Sequence, residues 1–325
     1  MQEDFIYRKV DSKDAEETCM YNNEDERHSL VISQRPSGVK VITKSNEPAI
    51  ISLGEISYYS NFFIGVHPFI FYGYRIHHSY MDCFLSMFKM HNETANIWTH
   101  LLSFVGFFSL TFVLFFEESK VLHEGAILLL FMLSTMVCFI SSTVYHLFNC
   151  HSEEACKCMF KIDLFGITFQ MLSGMICGTY YMFHDFIFLR NLYFSLFLFL
   201  SLSALIFTFV PIFISEKFVI VRIIIFSTLF ISAFMSCIHW TVIARIEEVE
   251  VISKYTLSAF SFVFSGFLFY LSKFPESYYQ SKMVDFYFQS HTLWHICVTG
   301  SAISYYLMLY NYNLLLLMQQ KQFKK

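Results

Sequence analysis

The segment QSHTLWHICVTGSAISYY, residues 289–306, puts two histidines, His291 and His295, at the head of a long apolar run. Four residues apart on a helix, their rings project from one face. A third histidine, His146, closes another apolar run in SSTVYHLFNCHS, and Ser142 stands four residues before it on the same face. Asp163 opens the next run, in KIDLFGITF. Three neutral imidazoles make a ligand set for zinc, which binds nitrogen at about 2.0–2.1 Å and keeps a fourth position for water in catalytic sites. Asp163 would then either hydrogen-bond that water or bind the metal directly. Taken singly, each of these residues reads as an interfacial or packed side chain; the chemistry requires that they converge.

Convergence depends on the elements that carry them. Of the 325 residues, 55% are hydrophobic, 20% aromatic and 15% charged, with a mean hydropathy of +0.49; soluble domains carry about a quarter charged residues. Forty-one Phe against five Pro favour long apolar helices over sheets and turns. From Ile97 onward apolar runs of about twenty residues recur, long enough to cross a bilayer at ~1.5 Å rise per residue. The expected spans are 97–116, 125–148, 163–183, 192–213, 218–242, 256–272 and 290–316, separated by polar connections such as NCHSEEACKCMFKI and ARIEEVEVISKY. Even-numbered spans end, and odd-numbered spans begin, on the face of the N-terminus. His146, Asp163, His291 and His295 therefore share one depth, although 145 residues separate the first from the third histidine. An ionisable group inside a membrane also carries an expectation of function, because leaving it unpaired is costly.

The expected organisation is a polar tail over 1–60, an interfacial amphipathic segment over 61–96, a seven-helix transmembrane domain over 97–317 and a short C-terminal tail over 318–325. Residues 1–50 hold ten acidic and seven basic side chains with no sustained apolar period, the composition of a mobile segment. Residues 60–90 mix aromatics with Arg75, His77, His78 and Lys89, which suits an amphipathic helix at the membrane surface or a turn and helix leading into the first span. A cytosolic N-terminus gives the inner segments eight Lys or Arg against four in the outer loops, in line with the positive-inside rule; Lys321, Lys324 and Lys325 reduce that bias. Asn92-Glu93-Thr94, a glycosylation sequon, then lies on the cytosolic side. The net charge of −4, with no basic block, gives no reason to expect nucleic acid as a partner. The nine cysteines form no secreted disulfide framework; CHSEEACKC, with Cys150, His151, Cys156 and Cys158, suits a metal site or lipidation equally. His100 and His239 are expected to pack or bond to backbone, and Arg222 to snorkel to the inner surface.

Four blocks in order, HNETANIWTHLLSF, SSTVYHLFNCHSE, KIDLFGI and SKFPESYYQSKMVDFYFQSHTLWH, together resemble the motif set of the progestin and adipoQ receptor family, the relatives of hemolysin III, over about residues 65–310. The likeness is strongest to the adiponectin-receptor branch and its Golgi-resident, Raf-kinase-trapping relative. The resemblance implies an all-α, seven-transmembrane helix bundle with a cytosolic N-terminus, opposite to G-protein-coupled receptors, in the plasma membrane or the Golgi membrane. It also implies a Zn2+ ion near the cytosolic face with His146, His291 and His295 as ligands, Asp163 reaching it through water and Ser142 beside it. Nothing outside the motifs points to adiponectin or progestin as the ligand.

Two functions fit. In one, the chain is a receptor that also has, or derives from, a ceramidase-type lipid amide hydrolase: Asp163 positions a water and takes its proton, and Ser142 bonds the substrate or the oxyanion. In the other, the zinc is structural and the chain is a non-catalytic membrane anchor or signalling scaffold. Expected partners are a lipid or lipid-like ligand within the membrane and a cytosolic signalling protein or an extracellular ligand. A transport path is disfavoured, since no run of polar residues crosses the membrane centre.

Overall fold

The apolar runs are helices in the computed structural model, which describes residues 30–33, 40–43, 48–53, 67–117, 125–210 and 216–323. Two units divide between Glu47 and Pro48. The described part of the first is an antiparallel pair, β1 (Leu30–Ser33) with β2 (Lys40–Thr43), in which Leu30 faces Thr43. The rest of the expected polar tail up to Glu47 lies outside the described residues.

The second unit, Pro48–Lys325, begins with β3 (Ala49–Ile51), paired antiparallel with β4 (Tyr74–Ile76). Helix α1 (Tyr80–Ser86) follows, opened by a capping box between Ser79 and Asp82 that satisfies two otherwise orphaned backbone donors. The fold is helical but not all-α, and of the two readings of residues 60–90 the described part, from 67 on, follows the turn and helix leading into the first long helix. Gly73 takes a φ of +90°, which a helix cannot continue through, and Arg75 is buried in β4 rather than displayed on a surface.

Among the described residues, seven helices of 23 to 34 residues carry the remainder, with one short α-helix among them: α2 (Thr94–Glu117), α3 (Ala126–Phe148), α4 (Glu153–Met182), α5 (Ile187–Phe209), α6 (Val219–Ile243), α7 (Ile246–Ser272), the six-residue α8 (Lys282–Tyr287) and α9 (Ser290–Phe323). Six of them, α2 to α7, are long and apolar enough to cross a membrane. Their outward faces carry large apolar side chains, Phe188 and Val242 each 78% exposed, an arrangement suited to lipid rather than water. Helix α9 is the longest and stands outside that set of six, with polar residues such as His291, His295, Asn311 and Asn313 interrupting its apolar run.

Two helices start well before the expected spans. Helix α4 begins ten residues ahead of Asp163 because Ser152 caps it, accepting from the Ala155 N–H at 3.1 Å, and Glu153 and Glu154 in the first turn complement the helix dipole. Helix α7 likewise absorbs most of ARIEEVEVISKY, with Glu247 and Glu248 in its first turn. Both connections taken as polar loops are thus helical extensions, and Asp163 lies inside its helix rather than at its start.

Helix α9 packs along α7 and also touches α2, α3 and α4. The α7 contact is close: a Cβ added at Gly266 would stand 2.8 Å from Cys297 Cβ and 2.9 Å from the Trp294 ring, so only glycine permits this approach, as small residues do between membrane helices. The core that these helices share with α6 buries Phe131, Phe139, Tyr181, Trp240, Leu309 and Tyr312.

Candidate metal centre

His146 occupies the last turn of α3, where helix carbonyls lack intrahelical donors. Arg75, reaching in from β4, supplies them. Its Nη2 donates to the carbonyl of His146 at 2.6 Å and to Asn149 Oδ1 at 3.0 Å, while Nη1 donates to the Leu147 carbonyl at 3.0 Å and to Ser86 Oγ at 2.8 Å. A buried guanidinium is costly unless its donors are satisfied; here four acceptors hold the two Nη groups and, with them, the end of α3, while Nε has no hydrogen-bond partner among the described residues.

Glu93, just ahead of α2, sets the orientation of the His146 ring. Its Oε2 accepts from His146 Nδ1 at 2.8 Å and from Asn96 Nδ2 at 2.8 Å, and its Oε1 accepts from Asn149 Nδ2 at 3.0 Å. Burial alone would raise the Glu93 carboxyl; the His146 imidazole, the Asn96 amide and the nearby Arg75 outweigh it and hold the group below the ordinary carboxylate range. A carboxylate facing Nδ1 requires a proton there, so in the neutral ring, the form that can ligate a metal, Nε2 is the bare lone pair.

The other two rings are positioned from α9. Ser290, at its start, donates its backbone N–H to Glu276 Oε2 at 2.6 Å and its hydroxyl to Glu276 Oε1. Gln289 donates to the carbonyls of Asn92 and Asp285, and Asp285 accepts from the Phe71 and Tyr72 amides at 2.8 and 3.0 Å. Thr292 Oγ1 bonds Asn96 Oδ1 at 2.7 Å. The first turn of α9 is thereby tied to the start of α2 and to the segment before it. His295 Nδ1 lies 3.2 Å from both the Asn96 carbonyl and Thr99 Oγ1, so it too carries its proton on Nδ1.

The result is that three Nε2 atoms face one another. His291 Nε2 stands 3.1 Å from His146 Nε2 and 3.2 Å from His295 Nε2. In the neutral rings two of the three Nε2 atoms are bare lone pairs, and a single proton on His291 cannot satisfy both neighbours; a cation between them can. Among the described residues this is the one group of three or more His, Cys, Asp or Glu whose ligand atoms converge enough to hold a metal ion. CHSEEACKC does not form such a group.

Ser142 and Asp163 are both buried and, with His291 and His295, line a cavity of about 390 Å³ that continues between α4, α6, α7 and α9 along an apolar wall. Asp163 Oδ1 has no hydrogen-bond partner among the described residues. His100 packs, as expected, but its place is notable: its ring stacks on that of His295 at 3.7 Å and 7°. His239 bonds the Tyr193 hydroxyl at 2.8 Å rather than backbone, and Arg222 lies over the Phe160 ring and lines the cavity. Sequence reasoning missed Glu93, Arg75 and His100 as parts of the site. Glu93 had a usable signal, a carboxylate in a short polar cluster directly before an apolar run; Arg75, reached only through tertiary contacts, had none.

The family model for haemolysin-III-related proteins matches residues 88–306. Among curated proteins, the chain is 28% identical to the mouse progestin and adipoQ receptor family member 3 over 71% of this chain and 76% of the relative. It is 26% identical to heptahelical transmembrane protein 1 of Arabidopsis thaliana, over 72% and 73% of the two chains, and 26% identical to the adiponectin receptor protein of Drosophila melanogaster, over 70% and 52%. A membrane helix bundle, a histidine triad able to hold a metal ion and a match over two-thirds of the sequence together assign the chain to the haemolysin-III-related family of progestin and adipoQ receptors.

Proposed function

We propose that the chain is a seven-helix receptor-type membrane protein with a zinc centre near its cytosolic face, and that it hydrolyses a lipid amide of the ceramide type. The observation that carries this reading is the meeting of three Nε2 atoms, at 3.1 and 3.2 Å, at the head of an apolar cavity that also receives Ser142 and Asp163. Four-coordinate zinc at about 2.0–2.1 Å spaces its ligands about 3.3 Å apart, and three protein ligands, rather than four, mark catalytic sites. An all-imidazole set also suits zinc among the available metals. A seventh crossing is supported by the length of α9, about 51 Å at ~1.5 Å per residue, and by the relative named heptahelical. The excess of Lys and Arg on inner segments supports the cytosolic N-terminus.

Bound by His146, His291 and His295, zinc would polarise a carbonyl and lower the pKa of water to about 7. The remaining roles belong to the chain. Phe226, Phe260 and Val298 form part of the apolar wall along which lipid tails lie, leaving the amide at the depth of the histidines. Asp163 accepts the proton of the attacking water at Oδ1, the atom without a partner. Ser142 Oγ donates to the oxygen on which charge develops. The apolar wall keeps bulk water from the reacting groups.

The test is release of sphingosine from ceramide by the purified full chain, with metal content measured on the same sample. Asp163→Asn is expected to lower turnover by about 10²–10⁴ with metal content unchanged. A metal-loaded wild-type chain with no turnover would overturn the hydrolase reading in favour of a structural zinc in a membrane anchor.

A further inference from the structure

Outside the metal centre, two thiols meet. Cys83, fully buried in α1, and Cys150, half-buried in the turn after α3, stand with Sγ atoms 3.5 Å apart. They are 67 positions apart in sequence, so the contact is built by tertiary structure. The two segments are also docked to each other independently of the sulfurs. His151 Nδ1 donates to the His78 carbonyl at 2.9 Å, and the Tyr80 ring stacks on His151 at 3.8 Å. Arg75 ties Ser86 of α1 to Asn149. The sulfurs therefore face each other in a held geometry rather than by chance approach of mobile loops.

We propose that Cys83 and Cys150 form a redox modification site, a dithiol that a hydroperoxide converts to an intramolecular disulfide. The Cys150 sulfur attacks one peroxide oxygen; the O–O bond breaks, the alcohol or water leaves, and Cys150 becomes a sulfenic acid. The Cys83 thiol then attacks the Cys150 sulfur, an S–S bond forms, and hydroxide leaves with the Cys83 proton as water. Two thiols lose two electrons in total and the peroxide gains them. A disulfide sulfur separation of about 2.05 Å requires the two atoms to close by roughly 1.5 Å, within the reach of side-chain rotation in docked segments.

Several features divide the roles. Cys150 is the reachable partner, since Cys83 is sealed. The sulfur–sulfur contact with Cys83, together with the Arg75 charge, lowers the Cys150 thiol from its ordinary range, while the same contact and burial raise Cys83; nucleophilic attack at peroxide needs the thiolate. With the cytosolic orientation proposed above, both thiols rest reduced, so the disulfide is a transient state. Its consequence is mechanical: it clamps α1 to the turn that begins three residues after His146.

The full chain, purified reduced in lipid nanodiscs and treated with hydrogen peroxide, provides the test. Peptide mapping is expected to find a 83–150 cross-link, reversed by a thiol reductant, formed before exposed Cys158 is oxidised. The thermal midpoint of the oxidised protein should rise, as closing a long loop predicts. Cys83→Ser should stop at a Cys150 sulfenic acid captured by a sulfenic-specific dione, and Cys158→Ser should cross-link as wild type. Oxidation of Cys158 with Cys83 and Cys150 both recovered as free thiols would overturn the proposal. So would a Cys150 sulfinic acid in wild-type protein without any cross-link, a result that does not depend on how the variants fold.

Discussion

Glu93→Gln tests the positioning of the metal centre through a residue that is not itself a ligand. The wild-type carboxylate accepts from His146 Nδ1 and Asn96 on one oxygen and from Asn149 on the other. Glutamine keeps the size but offers one acceptor and one NH2. If the NH2 faces Asn149, two donors oppose each other, and Asn149 can relieve this only by turning its Oδ1 away from Arg75. If the NH2 faces His146, the ring must move its proton to Nε2, where it points into the triad. Either route weakens the ligand set, and the anionic support of the imidazole is lost as well. Outer partners of this kind are worth 10–100-fold in metal affinity, about 1.4–2.7 kcal/mol. Competition with a chromogenic chelator on the purified full chain measures it, with circular dichroism to show that helix content is unchanged. Zinc affinity equal to wild type in a folded Glu93→Gln chain would refute the reasoning.

Arg75→Met removes the donor to four oxygen acceptors and should destabilise by roughly 3 kcal/mol, read as a lowered thermal midpoint at a matched scan rate; an unchanged midpoint would contradict the clamp. Glu276→Ala releases the start of α9 at a cost of about 1 kcal/mol, and faster hydrogen exchange confined to residues 290–293 would report it. His91, buried outside the long helices, is lowered to about 3 by burial first and then by Arg75. Its Nε2 faces the Ser86 carbonyl and its Nδ1 accepts the Glu93 N–H, so a second proton would break the latter bond. The unfolded chain takes up that proton near 6.5 and the folded one near 3, so stability falls as the pH drops below about 6.5. The His91 contribution to that loss reaches about 2 kcal/mol at pH 5, and a His91→Gln chain should show a shallower acid dependence of its thermal midpoint.

The histidine triad was legible because two kinds of information agreed. The spacing of His291 and His295 is local, and alternation of helices returns His146 to the same end whatever the intervening loops contain. Asp163 was expected at the start of its span and lies inside its helix: hydropathy detects the apolar part of α4, whereas Ser152, Glu153 and Glu154 start the helix earlier through capping and dipole terms. The same cause hid the first turns of α7. Arg75 read as a surface charge because composition cannot reveal that a strand pairing and a helix end will surround it. Cys83 and Cys150, likewise, meet only through the tertiary docking of α1 onto the turn after α3.

Elemental analysis of the full chain, purified without chelator, bears most directly on the central claim. The account predicts one zinc per chain in the wild type and only traces in His146→Ala, His291→Ala and His295→Ala chains of unchanged helix content. A folded wild-type chain that carries no transition metal, and binds none when zinc is added, would contradict it.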